Sequence, residues 1–155
     1  MAAPSAWRVY REYKVAMGEE VSVLNATDTI KCVLVTVGSV ALNVALASAH
    51  YATLDCQHAN QGAPGYETGG KTVAATWVDT AGTVKFNVVD PAWTATGSSI
   101  VARGAVLYND SATNKDLICY CLLDSTPADV TCTTGNTLTI DISASGVFTL
   151  AGAEA

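Results

Sequence analysis

DLICYCLLD, residues 116–124, decides the fold class. On an extended chain successive side chains point to opposite faces. Leu117, Cys119, Cys121 and Leu123 then share one side, and Ile118, Tyr120 and Leu122 share the other. Both sides are apolar, which is the mark of a strand buried within a sheet and covered on both faces. A second stretch of this kind is TIKCVLVTV, residues 29–37, which is nearly all apolar from Cys32 onward and rich in β-branched residues.

Working outward, the chain from Lys71 to its end has a period of two. In KTVAATWVD, Val73, Ala75 and Trp77 fall on one face; after a short turn at Asp79 to Gly82, TVKFNVVD places Val84, Phe86 and Val88 on one face and Lys85 and Asn87 on the other. These two runs predict a hairpin with a Gly-containing loop. Pro91 blocks simple continuation of the ladder. SSIVARGAVLYND predicts a strand over about 99–108, TLTIDIS turns Leu138, Ile140 and Ile142 inward, and VFTL closes the chain. Short strands separated by Thr, Asn, Asp and Gly turns predict an all-β fold. The expected architecture is an antiparallel β-sandwich or flattened barrel of about seven strands with a short N-terminal α-helix, all in one domain of 155 residues.

The helix is expected over residues 5–17, SAWRVYREYKVAM, capped by Ser5 and ended by Gly18, with Ala6, Tyr10, Tyr13 and Met17 as its apolar stripe. Arg8, Arg11 and Lys14 would form a basic stripe on it, either a solvated face or a dock for an acidic protein surface. Residues 38–70 are ambiguous. VALNVALASAHYATL carries helix formers, yet Val40, Leu42, Val44 and Leu46 alternate; residues 52–60 could add one or two helical turns.

Composition narrows the function. Half of the residues are apolar and only 14% are charged, so a large contact with other protein surfaces competes with the plainer reading of a surface made of Thr, Ser and Asn. A net charge of −6 with eight scattered basic residues argues against nucleic acid, Arg8, Arg11 and Lys14 being the one local exception. The longest apolar stretch, Val33 to Ala49, is broken by Thr36, Gly38, Ser39, Asn43 and Ser48, so no membrane partner is expected. An apolar leader is not expected in Met1 to Lys14, which carries Arg and Glu. Five cysteines, Cys32, Cys56, Cys119, Cys121 and Cys132, include no C-x-x-C pair and read as small core residues; no metal and no cofactor is expected.

Chemistry has few carriers. The histidines, His50 and His58, show no sequence pattern linking them to a nucleophile, and Cys56 at i, i+2 from His58 would not face it on a helix. Asp79, Asp90, Asp110, Asp124 and Asp129 sit at strand ends, where aspartate bonds its own turn. GYETGGKT, residues 65–72, fits the phosphate-loop pattern letter for letter, but a loop precedes it and a period-two run follows it, so it reads as a Gly-rich turn. Tyr51, Trp77 and Trp93 are the candidates for a sugar-stacking platform, against core or interface packing.

The segments DTIKCVLVTV, GYETGGKTV, VKFNVVDPAWT, SIVARGAVLYND, DLICYCLLD and GNTLTIDISASGVFTL occur in an order and spacing that resembles a family of small virion-associated proteins of tailed phages, over about residues 28–150. The resemblance implies a structural, non-enzymatic role in the virion after synthesis in the bacterial cytoplasm, and no catalytic residues. It implies a capsid decoration or cement protein whose partners are the major capsid protein and copies of itself, a trimer among the arrangements. A tail or head–tail junction component and a virion-surface carbohydrate-binding module are the alternatives. An enzyme ranks last. The residues expected to make contacts are Trp7, Tyr10, Arg11, Tyr13 and Met17 of the helix, with Pro64 and Tyr66 of the 60–70 loop.

Overall fold

A computed structural model describes residues 5–19, 24–25, 27–46, 49–55, 57 and 65–151. Among them the chain forms β1 (Arg8–Val9), α1 (Arg11–Gly18), β2 (Ile30–Val35), β3 (Lys71–Val73), β4 (Ala75–Thr80) and β5 (Thr83–Val88). It continues with β6 (Ala92–Thr94), β7 (Ile100–Ala102), β8 (Gly104–Asn109), β9 (Leu117–Leu122), β10 (Val130–Cys132), β11 (Thr137–Thr139) and β12 (Phe148–Ala151). The fold is all-β and sandwich-like with one short helix. Its largest sheet has the order β1-β9-β8-β2-β3, a second has the order β12-β5-β4, and β10-β7 and β11-β6 form two-stranded ribbons. Every pairing of named strands is antiparallel.

Twelve short strands form among the described residues where about seven were expected: single residues cut two of the runs, and β1, β6 and β10 are additional. KTVAATWVD breaks at Ala74, so that β3 pairs with β2 while β4 pairs with β5. SSIVARGAVLYND breaks at Arg103, so that β7 pairs with β10 while β8 lies between β2 and β9. Strands that pass from one sheet to another in this way turn the corners of a sandwich. Arg103 is pinned at its corner: its N–H donates to the Val35 carbonyl (2.8 Å), its carbonyl accepts from Leu123 N–H (3.0 Å), and its Nε meets Asp129 at 2.7 Å. Gly104 follows because a Cβ there would lie 2.8 Å from the Cys121 carbonyl oxygen and 2.4 Å from Leu42.

The two quoted apolar runs form the centre. All six residues of β8 are buried, as are the first five of β9 and all of β2 except half-buried Lys31. The β4–β5 hairpin forms as expected around Ala81 and Gly82, both at positive φ, with Phe86 and Val88 turned inward. Ile100 and Trp93 from the remaining strands, with Ile140 and Val147 beside β11 and β12, join the same core.

The N-terminus departs from expectation. The helix spans Arg11–Gly18, not residues 5–17. Ser5 caps nothing; its N–H donates to the Leu122 carbonyl (2.9 Å), and its Oγ accepts from Leu122 N–H (2.8 Å). Arg8 and Val9 then pair with Tyr120 and Cys119 as an edge strand. The open edge of β9 offers these residues a ladder, which outweighs the helical spacing of a few side chains. Among the described residues of 38–70 two 3₁₀ turns form, Val40–Leu42 and Tyr51–Thr53. Asp55 anchors the first, accepting from Ser39 Oγ (2.9 Å) and Val40 N–H (2.8 Å). Residues 58–60, where further helix was expected, lie outside the described residues.

GYETGGKT is a turn followed by a strand: Gly70 N–H donates to the Glu67 carbonyl (2.9 Å), and Lys71 begins β3 where a phosphate loop would begin a helix. Gly70 sits at φ +73°, and a Cβ there would lie 2.0 Å from the Cys32 carbonyl oxygen. Gly70→Ala is therefore expected to destabilise the fold by more than about 1 kcal/mol, measured by urea unfolding.

Asp110 joins β2 to the turn before β9, meeting Lys31 Nζ at 2.8 Å and Lys115 Nζ at 2.6 Å. Hydrogen bonds from Lys115 and Lys31 hold its carboxyl below the ordinary aspartate value. A depressed folded value means that the stabilisation is complete above the unfolded value, about 3.9, and is lost as pH falls through the folded one. Asp110→Asn should lower stability at neutral pH, and its difference from the parent should shrink below about pH 4 in acid titrations followed by circular dichroism.

Candidate protein interface

The N-terminal arm and the last strand approach each other and leave a groove between them. Trp7, Val9, Met17, Val44 and Leu150 supply apolar walls, and Arg8 and Lys14 lie among them, around a space of about 430 Å³. A second hollow of about 400 Å³ shares Trp7, Phe148 and Thr149 with the first and reaches Cys121, Ile140 and Val147. Both flanking strands are sheet edges among the described residues, where β1 pairs only with β9 and β12 only with β5. An open edge exposes backbone donors and acceptors to which another chain can add. Leu150 is 46% exposed beside this edge.

Charge singles out the same region. Lys31 and Lys115 bind Asp110, and Arg103 binds Asp129. Lys71 and Lys85 donate to the carbonyls of Ala92 and Ala144. Arg8, Arg11 and Lys14 are exposed and make no ion pair or side-chain hydrogen bond among the described residues. They do not form one helical stripe, because Arg8 belongs to β1.

Of the residues expected to make contacts, Trp7 and Met17 line the groove, and Arg11 is exposed beyond it. Tyr10, Tyr13 and Tyr66 are core residues and present no surface. Tyr10 has 0% exposure; its ring lies 5.5 Å from that of Tyr120, and its hydroxyl donates to the Ala41 carbonyl. Tyr66 reaches β2 just past the end of β3, where its hydroxyl accepts Leu34 N–H at 3.1 Å. Apolar helical spacing and a Gly-rich flank mark an anchoring residue equally well whether it anchors to its own core or to a partner. Pro64 lies outside the described residues. Val9, Val44 and Leu150 carried no sequence signal of a shared surface, since the fold brings them together from three distant segments.

No family model, curated protein or solved structure matches this chain.

The possible chemical sites resolve as follows. His50 has a partner after all: its Nδ1 lies 2.9 Å from Asp116 Oδ1, a contact across 66 positions that spacing could not reveal. Among the described residues no hydroxyl or thiol comes within hydrogen-bond distance of its other ring nitrogen. Among the described residues the pair has an orienting carboxylate and no nucleophile in reach. Cys56 and His58 lie outside the described residues. Burial pushes the Cys121 thiol up to about 12 and those of Cys32 and Cys119 well above their ordinary value, so these three pack as apolar groups. Among the described residues no cluster of His, Cys, Asp or Glu could hold a metal ion. The three candidate sugar platforms have intramolecular ring partners: Trp77 packs on Phe86 and Phe148, buried Trp93 on Tyr66, and Tyr51 on Tyr108.

These placements separate folding from binding. Tyr10→Ala should cost about 3–5 kcal/mol of stability, the range for removing a buried aromatic ring. Arg11→Ala should stay within about 0.5 kcal/mol of the parent. Chemical denaturation of both variants checks the assignment.

Proposed function

We propose that this protein is a structural component of a tailed-phage particle, a capsid decoration protein that binds the major capsid protein and copies of itself. The observation that carries the reading is the groove between two strand edges, apolar along its walls and lined by Arg8 and Lys14, which have no ion-pair partner among the described residues. A surface of this kind does work when another polypeptide covers it. The resemblance of residues 28–150 to small virion proteins supplies the setting. On a particle, symmetry repeats the contact many times, so each copy needs only a modest interface.

The test is stoichiometry together with point variants. Purified particles should carry on the order of hundreds of copies per head, measured by quantitative gel densitometry. A few copies per particle would end the decoration reading in favour of a tail or head–tail junction component. Leu150→Asp and Trp7→Ala should release the protein from particles while leaving its circular dichroism unchanged. Point variants are required because truncating residues 1–17 would also remove core residues Tyr10 and Tyr13.

A further inference from the structure

Helix α1 divides two surfaces of opposite character. Lys14 and Met17 face the groove on one flank. Glu12, Val15 and Glu19 face the other flank, where a cleft of about 680 Å³ is lined also by Asp28 and Asp116 and by no lysine or arginine. Residues three and four apart share a helix face, so these two sets point away from each other. Within one copy the cations of the groove therefore cannot neutralise the carboxylates of the cleft, and no ion pair joins them.

The two surfaces match in kind as well as in charge. The groove is apolar with a basic border. The acidic flank carries Val15 at its crest, 52% exposed, beside exposed Glu19, whose carboxylate has no partner among the described residues. We propose that the acidic flank of α1 in one copy seats in the groove of the next, with Val15 against Trp7 and Leu150 and Glu19 against Arg8 and Lys14. The occupant of the groove is thus a second copy of this chain, joined head to tail. Such a contact is heterologous: it closes into a ring where the rotation between copies permits and otherwise propagates. Apolar contact supplies affinity, while the opposed charges set register and reject the reversed arrangement.

The inference deepens the structural reading and rests on it, yet its test needs no particle, so the two can fail separately. Sedimentation or light scattering of the purified full chain should show concentration-dependent association at low ionic strength. That association should weaken in about 1 M salt, where the screening length falls to about 3 Å. The Arg8→Glu/Lys14→Glu variant and the Glu19→Lys variant should each lose association by about tenfold or more in dissociation constant, a loss of about 1.4 kcal/mol. The three side chains changed, Arg8, Lys14 and Glu19, are all exposed, so circular dichroism should stay at the parent spectrum. Mixing the two variants should restore association, because the reversed groove then meets the reversed flank. A parent protein that stays monomeric at all concentrations, variants that associate like the parent, or a mixture that stays monomeric would overturn the inference. A dimer broken by the groove variant alone would overturn it too, since that pattern belongs to a contact in which groove meets groove.

Discussion

Three adjacent strands, β2, β8 and β9, buried on both faces, are the constraint on which everything else depends. A sheet whose middle is apolar above and below must be covered twice. One cover comes from the irregular stretch before β3 and from the N-terminal helix: Leu42 lies against Gly104, Gly70 against Cys32 and Val33, and Tyr10 against Tyr120. Other strands join the same core through Phe86 and Trp93, and the residues flanking β11 and β12 through Ile140 and Val147. The close backbone approaches at Gly70 and Gly104 follow from this demand, because covering segments must lie almost in contact with the strands they cover.

Completing the two covers leaves edges. A short arm, Ser5 to Val9, satisfies the outer side of β9 but is itself an edge, and β12 ends its own sheet in the same way. Natural sheets blunt such edges with charge, brevity or a covering segment. Here β1 is only two residues long and carries Arg8, whereas β12 presents Leu150. The groove follows from how the central sheet is enclosed, and among the described residues apolar area, strand edges and the unpaired cations Arg8 and Lys14 coincide there.

Electrostatics in this acidic chain divides into two uses. Charges that tie distant segments are paired: Asp110 with Lys31 and Lys115, Arg103 with Asp129, His50 with Asp116. Charges around α1 are segregated, cations toward the groove and carboxylates toward the cleft. Exposed charges such as Arg8, Lys14 and Glu19, which make no ion pair among the described residues, contribute little to folding.

The sequence by itself determined the class of the fold, because alternation and two-sided apolarity are local properties of an extended chain. The central strands at 29–37 and 116–124, the 71–88 hairpin and the turn reading of GYETGGKT were all legible in that way. Only the tertiary structure decided where strands break, since Ala74 and Arg103 change sheets according to which partner edge is open. It also decided that Tyr10, Tyr13 and Tyr66 face inward, that Ser5 to Val9 extend a sheet instead of starting a helix, and that His50 meets Asp116. Each of these depends on contacts between residues far apart in the chain, and neither propensity nor spacing carries information about which distant surface a side chain will meet.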